Sequence, residues 1–258
     1  MAITMEQIKE LRDQTGVSVM QCKKALEEAE GDVEKALMIL KKKSSEVAAK
    51  KSDREAGEGL IVVERNGNKA VVLELFCETD FVAKNDDFVN LAKALAQKAV
   101  NEGNDAMQAA SAEMIATVIQ KVGENIRLGS VLEVSGDVMG AYVHDGKSGA
   151  VVVLKGGTDE LAKDVAMQIT AMRPEYQKRE DIPADMIEKA KEMFQAEVEN
   201  SGKPEEIKAK MLEGKINAYF KEQTLMDQAF FKNPDMSIAQ LLANGKAEIV
   251  SYTKVGLK

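Results

Sequence analysis

Tryptophan is absent from this 258-residue chain, histidine occurs once, cysteine twice and proline four times. Each scarcity removes a class of explanation. A single histidine, His144, has no second one with which to share a metal ion. Cys22 and Cys77 stand far apart, outside any metal-ligand spacing. Two such cysteines form no disulfide framework and read as small buried residues in a reducing compartment. Apolar runs stop well short of the ~18 residues that a membrane helix needs. The start, Met1-Ala2-Ile3-Thr4-Met5-Glu6, shows no basic segment followed by an apolar run, so no secretory signal is expected. A cytoplasmic protein without membrane attachment is the expectation.

Positive charge is also in deficit. The net charge of −8 works against direct nucleic-acid binding, because attraction to phosphates needs a positive field. The clusters Lys41-Lys42-Lys43 and Lys50-Lys51 read as the solvated face of a linker helix. The nucleophile elbow, the zinc-protease pair of histidines and the phosphate-cradling glycine loop are all missing. Carboxylates such as Glu188, Glu192 and Glu199 recur at exposed helical spacings, and His144 beside Asp145 is an ordinary solvated turn. Lys155-Gly156-Gly157-Thr158 reads as a strand-to-helix turn. Neither catalysis nor a cofactor or metal site is expected of this chain.

What is present begins with helix signals. Thr4 and Gln7 have capping-box spacing, with Ile3 and Ile8 placed for a hydrophobic staple, and Thr15-Gly16 stops that helix. Ser18 and Gln21 repeat the box, Gly31 ends the second helix and Asp32 can cap a third carrying Val33, Leu37 and Leu40. From Lys41 to Gly59 apolar periodicity fades, which predicts a partly helical linker.

An internal repeat follows. Leu60–Val63, a turn at Asn66-Gly67 and Ala70–Phe76 predict a hairpin that leads through Thr79-Asp80 into a helix. Ala141–Val143, a turn at Asp145-Gly146 and Ala150–Leu154 lead likewise through Thr158-Asp159 into another. In this register Gly67 matches Gly146, Ala83 matches Ala162 and Lys84 matches Lys163, but Phe81 matches Glu160. The fold class predicted is α+β, two related subdomains with antiparallel sheets. Phe81, at the strand-to-helix corner Thr79-Asp80-Phe81-Val82, is either tucked into the core of its own subdomain or offered to a partner. Acceptance of a glutamate at the matching corner strengthens the case for solvent and leaves the two readings evenly balanced, because diverged repeats can pack differently. Beyond Pro174, the stripes Met186, Ile187, Ala190, Phe194, Val198 and Ile207, Met211, Ile216, Tyr219, Phe220 flank a break at Ser201-Gly202-Lys203-Pro204. They predict an antiparallel helical hairpin, with pairing to a second copy left open.

Ordered blocks across nearly the whole chain carry a resemblance. These are Leu11-Arg12-Asp13-Gln14-Thr15-Gly16, Met20-Gln21-Cys22-Lys23-Lys24-Ala25-Leu26 and Cys77-Glu78-Thr79-Asp80-Phe81-Val82-Ala83-Lys84-Asn85. Gly123-Glu124-Asn125-Ile126, Tyr142-Val143-His144, Pro174-Glu175-Tyr176 and Ser201-Gly202-Lys203-Pro204-Glu205-Glu206-Ile207 complete the set. Together they resemble the bacterial elongation factor Ts family. The resemblance implies a ubiquitin-associated-like three-helix module with its linker at 1–54 and a core N-subdomain at 55–140. A core C-subdomain would comprise 141–183 and 223–258, with a helical hairpin inserted at 184–222. It implies guanine nucleotide exchange on elongation factor Tu, in its GDP-bound and nucleotide-free states. Thr79, Asp80, Phe81 and Val82 would act at the Mg²⁺ side of the partner's nucleotide site, and Met20, Lys23 and His144 would add contacts. Family members commonly continue past a segment like Ala247–Tyr252 into a further C-terminal helix, whereas this sequence stops at Lys258. The departure puts the contact made by that helix in doubt, and the expectation is either a lower affinity or another element in its place. Glu160 cannot repeat the role of Phe81. Two other functions remain open on the residues alone: an adaptor that holds a partner without affecting its nucleotide, and an enzyme built around His144 and the carboxylates.

Overall fold

The computed structural model describes residues 3–257. Met1, Ala2 and Lys258, the outer ends of the first and last expected segments, lie outside the described residues. Thr4 caps α1 (Met5–Thr15) and Ser18 caps α2 (Val19–Glu28), each through a complete capping box. The Thr4 hydroxyl accepts from the Gln7 amide at 3.2 Å while Gln7 Oε1 accepts from the Thr4 amide at 2.9 Å. Such exchanges satisfy donors that the first turn leaves orphaned, at about 1 kcal/mol per cap. Gly16 takes the left-handed conformation and closes α1. Asp32 caps α3 (Val33–Lys51), and Leu11, Cys22, Ala25, Leu26, Ala36 and Leu40 bury together as the core of these three helices.

Next come β1 (Glu58–Asn66) and β2 (Lys69–Cys77), paired antiparallel with Asn66 opposite Lys69. The turn therefore closes on Gly67-Asn68, one residue later than expected. After β2 come α4 (Asp80–Ala83), α5 (Asp86–Glu102), α6 (Asn104–Val122) and β3 (Ile126–Ser135), which pairs antiparallel with β2. Val71, Leu73 and Leu75 of β2 share a core with Phe88, Leu91 and Leu95 of α5 and with Val118 and Ile119 of α6.

α3 differs from the predicted linker, running unbroken to Lys51. Its own periodicity is weak there, but α6 supplies partners: Lys41 pairs with Glu113 at 2.6 Å, and the Ser44 hydroxyl meets Gln120. Val47 and Ala48 pack against the sheet-and-helix core. Tertiary contact thus extends a helix that propensity alone leaves marginal.

The remaining elements are β4 (Val138–His144), β5 (Ser148–Lys155), α7 (Asp159–Met172), α8 (Ala184–Glu199), α9 (Glu205–Gln223), β6 (Ala229–Phe230), β7 (Asn233–Ser237), α10 (Ile238–Asn244) and β8 (Glu248–Gly256). One sheet runs in the order β4-β5-β8, and β6 pairs antiparallel with β7. Ala150, Val152 and Leu154 of β5 share a core with Ala162, Val165, Ala166 and Ile169 of α7. β4 and α7 touch at the backbone: a Cβ on Gly140 would stand 2.0 Å from the Lys163 amide nitrogen. In α8 and α9, Phe194 meets Tyr219 edge-on at 5.8 Å and Glu197 pairs with Lys215 at 2.8 Å. The partners descend on one helix as they ascend on the other, so the two helices are antiparallel.

Two units result. One holds the residues up to Ser135 together with Val143–Ser148 and the residues from Val255; the other holds Gly136–Tyr142 and Gly149–Lys254. The class is α+β.

Candidate functional site

The corner after β2 is built by Thr79. Its backbone is extended (φ −129°, ψ 156°), and its hydroxyl accepts from the Val82 amide at 3.3 Å, starting the single turn of α4. That turn splits its side chains sharply. Ala83 is 5% exposed and Val82 packs against the core, whereas Phe81 is 82% exposed. A ring so placed buries little of its apolar surface within its own fold.

Glu124, in the loop between α6 and β3, holds the corner from behind. One carboxylate oxygen accepts from the Glu78 and Thr79 amides at 3.1 and 3.0 Å, and the other accepts from the Thr79 hydroxyl at 2.7 Å. Glu78 in turn accepts from the Asn125 amide at 2.6 Å, and the buried Asn125 side chain donates to the Arg54 carbonyl at 2.7 Å. Charge-assisted bonds to backbone donors are stronger than neutral ones. Beneath the corner, burial, and then the negative charge of Glu124, push the Cys77 thiol up to about 11.

Asp80 is exposed and pairs with Lys84 at 2.9 Å; the hydrogen bond from that ammonium holds its carboxyl below the usual carboxylate range. Lys147 contributes in the same direction. It belongs to the β4–β5 turn, where Asp145 (φ 50°) and Gly146 (φ 68°) both lie left-handed and the Lys147 amide donates to the His144 carbonyl at 2.9 Å. Two positive φ values are the type I′ requirement of a two-residue hairpin, met here by Asp-Gly. The Gly146 carbonyl accepts from the Ile61 amide at 2.7 Å, and Lys147 pairs with Glu58, so this turn is fastened along β1. His144 lies in it, exposed, 3.6 Å from the Asp145 carboxylate.

The structure thus gathers Thr79, Asp80, Phe81 and Val82 on one corner and brings the charge of the His144 turn to bear on Asp80. Met20 and Lys23 stand elsewhere, on α2. They share its outer face, one helical turn apart, with Met20 68% exposed and Lys23 facing Glu27 at 3.9 Å. Sequence reading quoted Glu124 only within the block Gly123-Glu124-Asn125-Ile126 and assigned it nothing. Its partner is 45 residues away in sequence, beyond any spacing rule. Lys84 and Lys147 were missed for different reasons. Lys84 could have been found from its i, i+4 spacing to Asp80, whereas Lys147 had no such signal. Among the described residues no group of three or more His, Cys, Asp or Glu is arranged to hold a metal ion, and no helix is long and apolar enough to cross a membrane.

Comparison with known proteins gives the same answer throughout. The family model described as Elongation factor TS matches residues 78–257. Elongation factor Ts of Psychromonas ingrahamii is 41% identical over 266 residues, spanning 98% of this chain and 90% of that protein. Elongation factor Ts of Aeromonas hydrophila subsp. hydrophila is 42% identical over 257 residues, spanning 96% of this chain and 88% of that protein. With a bare aromatic ring on a braced corner, and a match that runs from that corner almost to the last residue, this chain belongs to the elongation factor Ts family.

Proposed function

We propose that this chain is a guanine nucleotide exchange factor for elongation factor Tu. It binds the GDP-loaded factor and promotes loss of GDP so that GTP can take its place during translation elongation. The physics is linkage. A protein that holds the nucleotide-free partner more tightly than the GDP-bound one must weaken GDP by the same factor.

Asp80 and Phe81 are the intruding pair, with Thr79 and Val82 holding them up. A ring inserted beside the partner's phosphate and Mg²⁺ site competes for packed space, which resists added volume. Losing Mg²⁺ uncovers phosphate charge and loosens the nucleotide electrostatically. Met20 and Lys23 of α2, and His144 of the β4–β5 turn, supply further contacts. No bond in the nucleotide is made or broken, so the chain is not an enzyme and carries no cofactor. We read residues 1–54 as a ubiquitin-associated-like module with linker and 55–140 as a core N-subdomain. Residues 141–183 with 223–258 form the C-subdomain, and 184–222 an inserted hairpin able to pair two copies. The setting is cytoplasmic, with no direct nucleic-acid or membrane contact.

The exposure of Phe81 on a corner braced by Glu124 carries this reading. Stopped-flow release of a fluorescent GDP from elongation factor Tu tests it. The chain should accelerate release, and Phe81→Ala should abolish most of the acceleration. Equal release rates with and without the chain would instead identify an adaptor that holds its partner passively.

A further inference from the structure

We infer that Glu124 is the positioning residue of this exchange surface: it sets the angle at which the Phe81 ring is presented, without itself meeting the partner. The inference rests on the exchange reading above. Three donors of the corner converge on one carboxylate: the amides of Glu78 and Thr79 on Oε2 and the hydroxyl of Thr79 on Oε1. Both oxygens are engaged, so the last residues of β2 and the cap of α4 are gripped as a unit. The Thr79 hydroxyl, donating to Glu124, keeps its lone pairs directed at the Val82 amide, which fixes where the helical turn carrying Phe81 begins.

The internal repeat isolates what this grip adds. Thr158 caps α7 with nearly the same backbone (φ −136°, ψ 159°) and the same bond, to the Leu161 amide at 3.2 Å. Among the described residues no carboxylate bonds Thr158, and the position matching Phe81 is Glu160. The second corner is tied differently, through the Asp159 carboxylate, which accepts from the Met139 amide at 2.9 Å, so its helix starts without a carboxylate on the cap hydroxyl. The extra carboxylate occurs where a bare ring must be held for a partner, because contacts lose energy when the presenting group must be ordered on binding.

The test compares the parent, Glu124→Ala, Glu124→Gln, Phe81→Ala and the Glu124→Ala/Phe81→Ala double variant in release of fluorescent GDP from elongation factor Tu at saturating chain. Circular dichroism confirms each fold. Glu124→Ala should lower the maximal release rate by about tenfold, the scale of a lost charged hydrogen-bond set. Glu124→Gln, which keeps one acceptor in the same shape, should retain an intermediate rate. In the Phe81→Ala background, removing Glu124 should change the rate by less than about twofold, because its effect passes through the ring. A parent-like rate for Glu124→Ala, or an equal loss in both backgrounds, overturns the inference. Should Glu124→Ala fail to fold, Glu124→Gln alone and combined with Phe81→Ala decides by the same criteria, with a several-fold loss expected only when Phe81 is present. A parent-like rate for Phe81→Ala would sink the exchange-wedge reading itself, a result distinct from either outcome at Glu124.

Discussion

Thr79 and Thr158 stand at the same place in two copies of one motif, each in extended backbone, each accepting a hydrogen bond from the amide three residues on. The alanines at the matching positions of the following turn, Ala83 and Ala162, are both buried. The corner is a shared device, and of the three side chains between cap and alanine the first is Asp in both copies while the second differs in kind. One copy has a phenylalanine there and the other a glutamate.

Removing the two caps should therefore cost unequal amounts. Thr158→Ala loses a cap bond, about 1 kcal/mol. Thr79→Ala should cost about 2 kcal/mol, because the half-buried Glu124 carboxylate also loses its hydroxyl partner. Urea unfolding of the two variants measures the difference, and equal losses would show that Glu124 does not tighten the first corner.

The two phenylalanines of this region should behave as opposites. Phe88 is fully buried in the core of β2, α5 and α6, so Phe88→Ala should destabilise by about 3–5 kcal/mol. Phe81→Ala should shift stability by less than about 0.5 kcal/mol, as expected of an exposed side chain. Urea midpoints check both, and a large loss at Phe81 would mean that the ring supports its own fold.

Two hairpin glycines separate strain from crowding. Gly67 (φ 59°) faces open space, so Gly67→Ala should cost about 1 kcal/mol of left-handed strain. Gly146 (φ 68°) lies against Leu60, whose Cδ1 would be 2.2 Å from a new Cβ. Gly146→Ala should cost up to about 1 kcal/mol more, because the half-buried end of Leu60 must move aside. Comparable thermal midpoints for the two variants would contradict the close seating of the β4–β5 turn on β1.

Cys77 predicts an alkaline limit. Its thiol is raised from 9.0 to about 11 in the folded chain, so the native state keeps the proton longer than the unfolded one. The stability this contributes is complete below pH 9 and is lost as pH rises from about 9 to about 11. Cys77→Ala should flatten the fall in melting temperature across that window. The native thiol should also resist alkylation at pH 8 until the protein is unfolded.

Asp80 titrates in the opposite sense. Its folded value is depressed by Lys84, so the associated stability is present above the ordinary carboxylate range and disappears as pH falls through the depressed value. Carboxyl NMR titration should place Asp80 higher in Lys84→Ala than in the parent chain. An unchanged titration would show that the ion pair does not persist in solution.

Much of this architecture was legible residue by residue. The boxes Thr4/Gln7 and Ser18/Gln21, the cap Asp32 and the Asp145-Gly146 turn are found where spacing placed them. The first hairpin turn slipped by one residue because Asn66, Gly67 and Asn68 are all turn formers, and only the pairing of Asn66 with Lys69 chooses between them. The stretch after Lys41, expected to be only partly helical, is helix as far as Lys51 for a related reason: it is held by Glu113 and Gln120, more than 70 residues away in sequence.

The amino-acid order by itself determined the caps, the Asp145-Gly146 turn, the repeat and the difference between Phe81 and Glu160. The caps and that turn depend on backbone angles and partners within a few residues, and the repeat is read from residue identities alone. Only the tertiary structure decided that Phe81 is bare, that Glu124 grips the Thr79 corner and that α3 continues to Lys51. Those outcomes turn on which distant side chains arrive at the same place, a matter of packing and charge across the fold that local spacing does not carry.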